Sequence, residues 1–387
     1  MKPNNIIVKC IRHIKWMFSS MFGYFRFKKI INNSTFVFIS HNGDSAGGAP
    51  VVLFELMKTL KGEQMVFLCE KPGKIIGQCK DENIPAFCTY LFQHRYLSAI
   101  INVQVKTIVV NTFAAYMSIL FLNKKKIKIP VLWWIHEERG LIERYRSYVP
   151  KTLNNNIRIL CVSHRVEMDL LELCPQYNNR TDIFYYGCRD LFEKIPEYFP
   201  RQENFRISVI GRICKRKNQM QVIEAYNCLD KSYQAHIYVD FVAASYDEDY
   251  KKIFDAAISG NSHFSYRGPI QREDMPKIYK DSNLIICASI DDPLPVVVTE
   301  AMMFMCPVIA SSGTGQFSII KNGINGFSYD VTSLSQLCQA IQMVYDAADL
   351  VDVMKKERET YLQYFSTEAV NINFKKLLLL NGVIRND

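Results

Sequence analysis

The chain of 387 residues exceeds the size at which single hydrophobic cores stop growing, about 250–300 residues, so two domains are expected. Hydrophobic residues make up 49% and aromatic residues 12%, a composition that argues against a disordered or fibrous protein. The formal net charge is +9, and twelve cysteines are scattered without a CxxC pair, which is typical of thiols in a reducing cytosol and argues against a disulfide framework or a cysteine-bound metal.

The positive charge is concentrated at the N-terminus. Residues 1–30 contain no acidic residue and account for seven of the nine charges, with Lys2, Lys9, Arg12, Lys15, Arg26, Lys28 and Lys29. The rest of the chain is close to neutral and has no recognition-helix or RNP pattern, so we expect no nucleic-acid partner.

Residues 1–33 are predicted to form a basic amphipathic helix. One face of the helical projection is apolar, with Ile7, Ile11, Ile14, Phe18, Met21 and Phe25, and the other carries Lys9, Arg12, Ser19, Gly23 and Arg26. The longest uncharged run, residues 16–25, is about half of what a transmembrane helix needs. Two interpretations stay open: the helix lies in the plane of an anionic membrane surface, or it docks on the protein's own body or a partner subunit.

From residue 34 onward, short apolar runs alternate with helical patterns, which predicts parallel βα units. A first domain over residues 34–200 has predicted strands at 34–40, 64–70, 107–112, 131–137 and 157–163. A linker at 197–205 leads to a second domain over 201–365, with strands at 206–212, 236–243, 263–268, 283–289 and 306–312. Helices are predicted at 333–347, 350–364 and 367–380, and the last segment, 366–387, is expected to pack back on the first domain. Ligands of such doubly wound α/β sheets bind beyond the carboxyl ends of the strands.

Three stretches at predicted strand ends carry the candidate chemistry. Gly47 and Gly48, between a strand and a helix, would let a phosphate or sugar approach the backbone, although such turns also serve packing alone. Arg212 and Lys217 flank the start of another helix, where a pair of cations suits a diphosphate. Asp292 precedes a helix that begins near Val296, and Glu300 lies one turn inside it; carboxylates offer two acceptors to vicinal diols.

The joint order of these features resembles the retaining GT-B glycosyltransferases of family 4, group 1 type. That family has a G-R-x4-K phosphate clamp, an E-x7-E pair and a final glycine-asparagine turn, matched by Arg212 and Lys217, by Asp292 and Glu300, and by "KNGINGF". The resemblance covers about residues 35–370, with "GGAPVVLFELMKTL", "VSHRVEMDL" and "FYYGCRD" fitting family positions in the first half and at the passage out of it.

The resemblance implies two Rossmann-like domains facing a central cleft, and hexose transfer from a nucleotide-sugar with retention of configuration. A UDP-hexose is the expected donor, with GDP-mannose as an alternative, and no metal or other cofactor is implied. His136 matches the family's histidine that faces the transferred sugar. Leu294 and Val296 join the donor site, Asp292 joins His136 in catalysis, and Glu137 and Glu138 are the candidates for acceptor binding.

Two departures from the family pattern bear on activity. Asp292 is one methylene shorter than the family's glutamate, and Pro295 replaces a glycine and supplies no N–H. They would suit an alternative function, a non-catalytic GT-B partner or scaffold of another transferase. A nicotinamide oxidoreductase is disfavoured because G-x-G-x-x-G is missing. Asp247 and Asp249 form a D-x-D of the metal-binding kind, but they begin a helix, where acids are favoured anyway.

The basic leader and the nucleotide-sugar site together suggest an acceptor anchored in a membrane, by analogy alone. We therefore expect a saccharide or lipid-linked saccharide acceptor in cell-surface polysaccharide synthesis. The expected location is cytoplasmic, on the inner face of the cytoplasmic membrane.

Overall fold

The computed structural model describes residues 3–44, 48–192 and 204–380. The chain forms two compact units. The first contains the residues up to Val162, Val166–Tyr186 and the chain from Val370 onward; the second contains Ser163–Arg165 and Gly187–Ala369. The predicted boundaries were 200/201 and 365/366, and most of the predicted linker, residues 197–203, lies outside the described residues.

The first unit is a parallel α/β unit. Its described elements are α1 (Pro3–Ile30), β1 (Phe36–Asn42), α2 (Gly48–Thr59), β2 (Met65–Lys71), α3 (Lys74–Asp81), β3 (Ala86–Cys88), α4 (Gln93–Ile100), β4 (Thr107–Asn111), α5 (Tyr116–Lys124), β5 (Val131–Ile135), α6 (Arg139–Tyr145), β6 (Ile157–Cys161), α7 (His164–Leu173) and β7 (Thr181–Ile183). The central strands are continuous apolar runs because helices cover both faces of a parallel sheet.

The order of the first sheet is β3-β2-β1-β4-β5-β6-β7. The chain starts in the middle, builds outward to β3 and then returns to continue from β4, so β1 and β4 flank the point where the strand order reverses. Such a switch point opens a crevice at the carboxyl ends of its two strands, where α/β folds bind ligands.

The second unit repeats this plan. Its described elements are β8 (Phe205–Ile210), α8 (Gln219–Cys228), α9 (Lys231–Gln234), β9 (Ile237–Val242), α10 (Glu248–Ile258), β10 (Phe264–Gly268), α11 (Met275–Asp281), β11 (Leu284–Cys287), α12 (Val296–Met303), β12 (Val308–Ser311), β13 (Phe327–Tyr329), α13 (Leu334–Asp346) and α14 (Val351–Tyr364). The strand order is β10-β9-β8-β11-β12-β13, which places the switch point between β8 and β11. A last helix, α15 (Thr367–Leu380), belongs to the first unit from Val370 onward.

Helices α1 and α15 cover opposite faces of the first sheet. Phe87 pairs in register with Leu68, and Leu68 with Ile39, so these three side chains point to one face. Phe87 contacts Phe27 of α1, with ring centroids 5.5 Å apart. Phe36 has the opposite parity to Ile39, and its ring lies 6.2 Å from that of Phe374 on α15.

Helix α1 docks on the first unit through a narrow face of small and aromatic residues. Tyr96 of α4 donates a hydrogen bond to the Ser20 carbonyl at 2.8 Å. A side chain at Gly23 would come within 2.9 Å of the Tyr96 hydroxyl, so this glycine faces the body rather than the polar side predicted for it. Phe27 is fully buried there. No helix among the described residues is long and apolar enough to span a membrane.

Four residues of the apolar face predicted for α1, Ile11, Ile14, Phe18 and Phe25, are 47–65% exposed, whereas Met21 of that face is half-buried. Phe22, which the prediction did not include, is 65% exposed and completes an exposed stripe of Ile11, Ile14, Phe18, Phe22 and Phe25. At 100° per residue this stripe lies opposite Ser20 and Phe27, so the helix contacts the body with one side and presents apolar side chains with the other. Docking on the protein's own body and lying on a membrane surface are therefore compatible interpretations of this helix, because one side is packed and the other side is exposed.

Candidate active site

The second sheet brings its predicted cations to the carboxyl end of β8. Gly211 has φ of +142°, and a Cβ there would lie 3.3 Å from Cε of Lys217, so glycine allows the lysine stem to cross the strand end. Lys217 ends a short 3-10 turn, Lys215–Lys217, just before α8. The Arg212 guanidinium is exposed and donates to the Tyr246 carbonyl at 3.2 Å.

Lys217 meets Asp292 across the switch point. Its Nζ lies 2.5 Å from Oδ2 of Asp292, and both side chains are largely buried. Burial opposes the lysine charge, but Asp292 outweighs it and raises the pKa of Lys217. Arg216 lies 3.4 Å from the same carboxylate oxygen and donates to the Asp291 carbonyl at 2.8 Å. Two cations thus converge on one carboxylate at this edge.

The turn that carries Asp292 is fixed by backbone contacts. The Asp292 N–H donates to the Gly313 carbonyl at 2.8 Å, and Gly315 N–H donates to the Asp292 carbonyl at 3.0 Å. A Cβ at Gly315 would stand 1.8 Å from the Pro293 oxygen, so no other residue fits without displacing the turn. Ser163 donates to that same oxygen at 2.7 Å. The structure therefore holds Asp292 through residues far apart in sequence.

Helix α12 begins directly after this turn. Leu294 is buried, and Val296, at the first helical position, is 36% exposed. The first amides of a helix have no partner within it and carry partial positive charge, which favours an anion at this end. Pro295 supplies no N–H, and its carbonyl accepts from the Gln316 side-chain amide at 2.9 Å.

Glu300 is engaged on both carboxylate oxygens. The Tyr279 hydroxyl donates to Oε2 at 2.6 Å, and Arg272 donates to Oε1 at 2.8 Å. Tyr279 and Glu300 are buried, whereas the Arg272 side chain is 65% exposed. Burial, and then Glu300, raise the pKa of Tyr279, so the hydroxyl stays a donor. The tyrosine fixes the carboxylate, and the arginine covers the oxygen that a ribose hydroxyl would need.

In the first unit, His136 follows β5 at the carboxyl edge of the sheet. Its ring lies 4.4 Å from that of Trp134 and 5.9 Å from that of Tyr186. Both ring nitrogens are shielded from solvent, and neither has a hydrogen-bond partner among the described residues. Burial lowers the pKa of His136 to about 3, so the ring is neutral at pH 7. The neutral ring offers one hydrogen-bond donor and one hydrogen-bond acceptor to a ligand. It does not carry the extra proton that a general acid would transfer at neutral pH.

Glu137 has a structural position. Its Oε1 accepts from the Phe113 N–H at 2.7 Å and Oε2 from the His136 N–H at 2.9 Å. Burial raises its pKa, and these amides lower it. Its contacts favour positioning of the His136 backbone over binding of an acceptor. Glu138 is half-buried and precedes α6, where its carbonyl accepts from Leu141 at 3.0 Å.

Two residues that were not predicted from the sequence lie together at the first switch point. His41, at the end of β1, shares a hydrogen bond of 2.9 Å between Nδ1 and the Thr112 hydroxyl, just past β4. Thr112 has φ of +79°, which is strained for a β-branched residue and typical of functional sites. Only the strand order, which joins β1 to β4, could have identified the pair. Gly47 lies outside the described residues, and Gly48 begins α2, where a Cβ would meet nothing within 4 Å.

Asp247 acts as a helix cap. Its carboxylate accepts from the Tyr250 N–H at 3.2 Å at the start of α10, and Asp249 pairs with Lys252 at 2.9 Å. Within residues 3–44, 48–192 and 204–380, no three His, Cys, Asp or Glu side chains are grouped to hold a metal ion.

These two Rossmann-like parallel sheets, of seven and six strands, define a protein of the GT-B fold. The crystal structure of Anabaena HepE in complex with UDP and glucose matches with a TM-score of 0.71 and 17% identity, over 89% of this chain and 99% of that one. At this identity the likeness shows the fold.

The sequence of the second unit is similar to that of group 1 glycosyltransferases. Residues 192–360 match the family model described as "Glycosyl transferases group 1". An uncharacterised glycosyltransferase of Methanocaldococcus jannaschii is 22% identical over 66% of this chain and 70% of its own length. The UDP-Gal:alpha-D-GlcNAc-diphosphoundecaprenol alpha-1,3-galactosyltransferase of Escherichia coli is 24% identical over 43% of this chain and 42% of its own length.

Proposed function

We propose that the protein transfers a hexose from a nucleotide-sugar, most simply a UDP-hexose, to a lipid-linked saccharide with retention of configuration and without a metal. The observation that carries this proposal is the contact between Lys217 and Asp292 at the second switch point, beside the start of α12. A buried cation beside the amides of a helix start suits a diphosphate, and the neighbouring carboxylates could accept hydrogen bonds from sugar hydroxyls. Cations and helix dipole stabilise a leaving diphosphate as a metal would.

The donor is named from the bound UDP of the HepE structure, and the acceptor from the undecaprenol diphosphate in the relative's name. His136 is proposed to bind the transferred sugar as a neutral hydrogen-bonding group. Front-face transfer needs no protein nucleophile. Retention is therefore compatible with a site that offers a neutral histidine.

The test is nucleotide release from a panel of UDP- and GDP-sugars, with and without extracted membrane lipid, in buffer containing a chelator. We expect one donor to be consumed only when lipid is present, with an NMR spectrum that shows the donor's anomeric configuration in the product. Lys217→Gln should abolish release, while Lys215→Gln, one exposed charge in the same turn, should not. Donor binding without turnover under all conditions would instead favour the scaffold function.

We further propose that α1 lies on an anionic membrane surface, at the cytoplasmic face of the membrane. The exposed stripe of α1 carries three phenylalanines, and basic residues on the same helix accompany it. Changing Phe18, Phe22 and Phe25 to serine should abolish binding to vesicles without disturbing the packed side of the helix. A matched variant with Ile253, Met343 and Leu362 changed to serine, all exposed in the second unit, should bind as wild type does.

A further inference from the structure

The two longest stretches of the chain without an acidic residue are residues 1–43 and residues 83–136. The second stretch carries six basic residues, Arg95, Lys106, Lys124, Lys125, Lys126 and Lys128. A run of this length without Asp or Glu is unusual in a chain whose charged residues make up 22%.

The fold places the helices of both stretches side by side. Helix α1 contacts β3, residues 90–92 and α4, and α4 contacts α5. Trp16 of α1 packs edge-on against Tyr90, with centroids 5.6 Å apart. Gln93 of α4 donates to the Ser118 hydroxyl of α5 at 2.8 Å. The three helices thus form one layer on the face of the sheet that α1 covers.

This layer carries exposed basic side chains at one edge of the sheet, in addition to those along α1. Helices α1, α4 and α5 end just before β1, β4 and β5 begin, and parallel strands begin at a common edge of the sheet. Lys28 and Lys29 end α1, and four exposed lysines, Lys124, Lys125, Lys126 and Lys128, follow at the end of α5, so both groups lie toward that edge. The exposed stripe of α1 belongs to the same layer, and Leu91 is 70% exposed next to α4.

We propose that α1, α4 and α5 together form one surface for an anionic bilayer, with the lysines after α5 contacting lipid phosphates while the stripe of α1 enters the interface. The proposal rests on the membrane role proposed for α1. It extends that role to the lysines at the end of α5, which are not part of an amphipathic pattern. The exposed apolar stripe favours lipid over nucleic acid, because phosphate-binding surfaces for nucleic acid are polar and charged.

The test is flotation of the full chain with phosphatidylcholine vesicles, with and without phosphatidylglycerol. Each basic side chain near an anionic leaflet strengthens binding by about fivefold at most. Changing Lys124, Lys125, Lys126 and Lys128 to glutamine should therefore weaken binding to the anionic vesicles by about tenfold or more, and leave binding to neutral vesicles unchanged. The matched control changes four exposed lysines of the first unit outside these stretches, Lys61, Lys74, Lys80 and Lys151, and should alter binding less than about twofold.

If both quadruple variants lose the same amount of binding to anionic vesicles, the effect is one of net charge and the proposal is overturned. Unchanged binding in the first quadruple variant would also overturn it. The phenylalanine variant separates this outcome from the role of α1. If that variant binds as wild type does, the membrane role of α1 fails, whereas the comparison of the two quadruple lysine variants reports only on the lysines at the end of α5. Binding of a short single-stranded RNA as tight as that of the anionic vesicles, lost in the first quadruple variant, would also overturn the proposal.

Discussion

At the scale of single residues, the neutral histidine at the end of β5 has a consequence for stability. Folded His136 has a pKa of about 3, against its ordinary value of 6.5. Between these values the unfolded chain binds a proton that the folded chain does not, so this contribution is complete above pH 6.5 and is lost as pH falls. The loss is about 1.4 kcal/mol per pH unit.

We expect His136→Gln to remove this dependence. Wild type should lose about 2 kcal/mol more of its free energy of unfolding than the variant between pH 6.5 and pH 5. Urea denaturation of both proteins at the two pH values measures the difference. His41, whose pKa burial also lowers, is present in both proteins and cancels. Equal pH slopes would mean that the ring is hydrated in solution.

Arg272 contributes to the free structure by pairing with Glu300, a residue that is proposed to bind the ribose. If ribose hydroxyls bind Glu300, the exposed guanidinium must first leave Oε1. An exposed ion pair contributes up to about 1 kcal/mol, so Arg272→Ala should tighten UDP binding by about two- to fivefold. Calorimetric titration measures this effect, with Lys280→Ala removing an exposed charge elsewhere in the same segment as the control. Weaker binding in Arg272→Ala would make the arginine a ligand contact instead.

At the scale of elements, the turn at residues 289–293 depends on one glycine. Gly315→Ala places a Cβ 1.8 Å from the Pro293 oxygen, and backbone cannot yield as a flexible side chain does. We expect a loss of about 3 kcal/mol or more in unfolding free energy and weaker UDP binding, because Asp292 moves with the turn. Gly140→Ala is the matched control, since its Cβ meets nothing within 4 Å and alanine suits helix α6. A Gly315→Ala protein as stable as the control would contradict the close approach.

Long apolar runs in the sequence predicted the strands and helices that contain them. Contacts between segments far apart in the sequence were not predicted. The run 131–137 contains β5, and 333–347 contains α13. Strands β3, β7 and β13 were missed because three residues each are too few for a periodic signal. The apolar face of α1 was predicted, but its buried side was not, since that side depends on Tyr96 and Phe87 from later in the chain.

The candidate site shows the same limit. Residue types and spacing identified Lys217 and Asp292, but their contact follows from β8 lying next to β11, which spacing does not encode. The engagement of Glu300 by Tyr279 and Arg272 likewise depends on how α11 packs near α12. Motifs therefore identified the candidate residues. The strand order determines which of them contact one another, and it also brings together His41 and Thr112, which no motif indicated.

At the scale of the whole molecule, Arg212, Lys217 and Glu300, which are proposed to bind the nucleotide, lie in the second unit, and His136 lies in the first. Nucleotide alone should therefore need only the second unit. A ligand that binds the folded state at 100 times its Kd adds about 2.7 kcal/mol, so saturating UDP should raise the melting temperature of wild type by several degrees.

The same shift is expected in His136→Gln, although its turnover should fall, because the histidine is proposed to contact the sugar and not the nucleotide. Lys217→Gln should lose the shift, since it removes the buried cation and leaves Asp292 without its nearest partner. Differential scanning fluorimetry with and without UDP distinguishes the three proteins, and Lys215→Gln serves as the charge-matched control. A shift lost in His136→Gln and kept in Lys217→Gln would reverse the assignment of nucleotide and sugar to the two units.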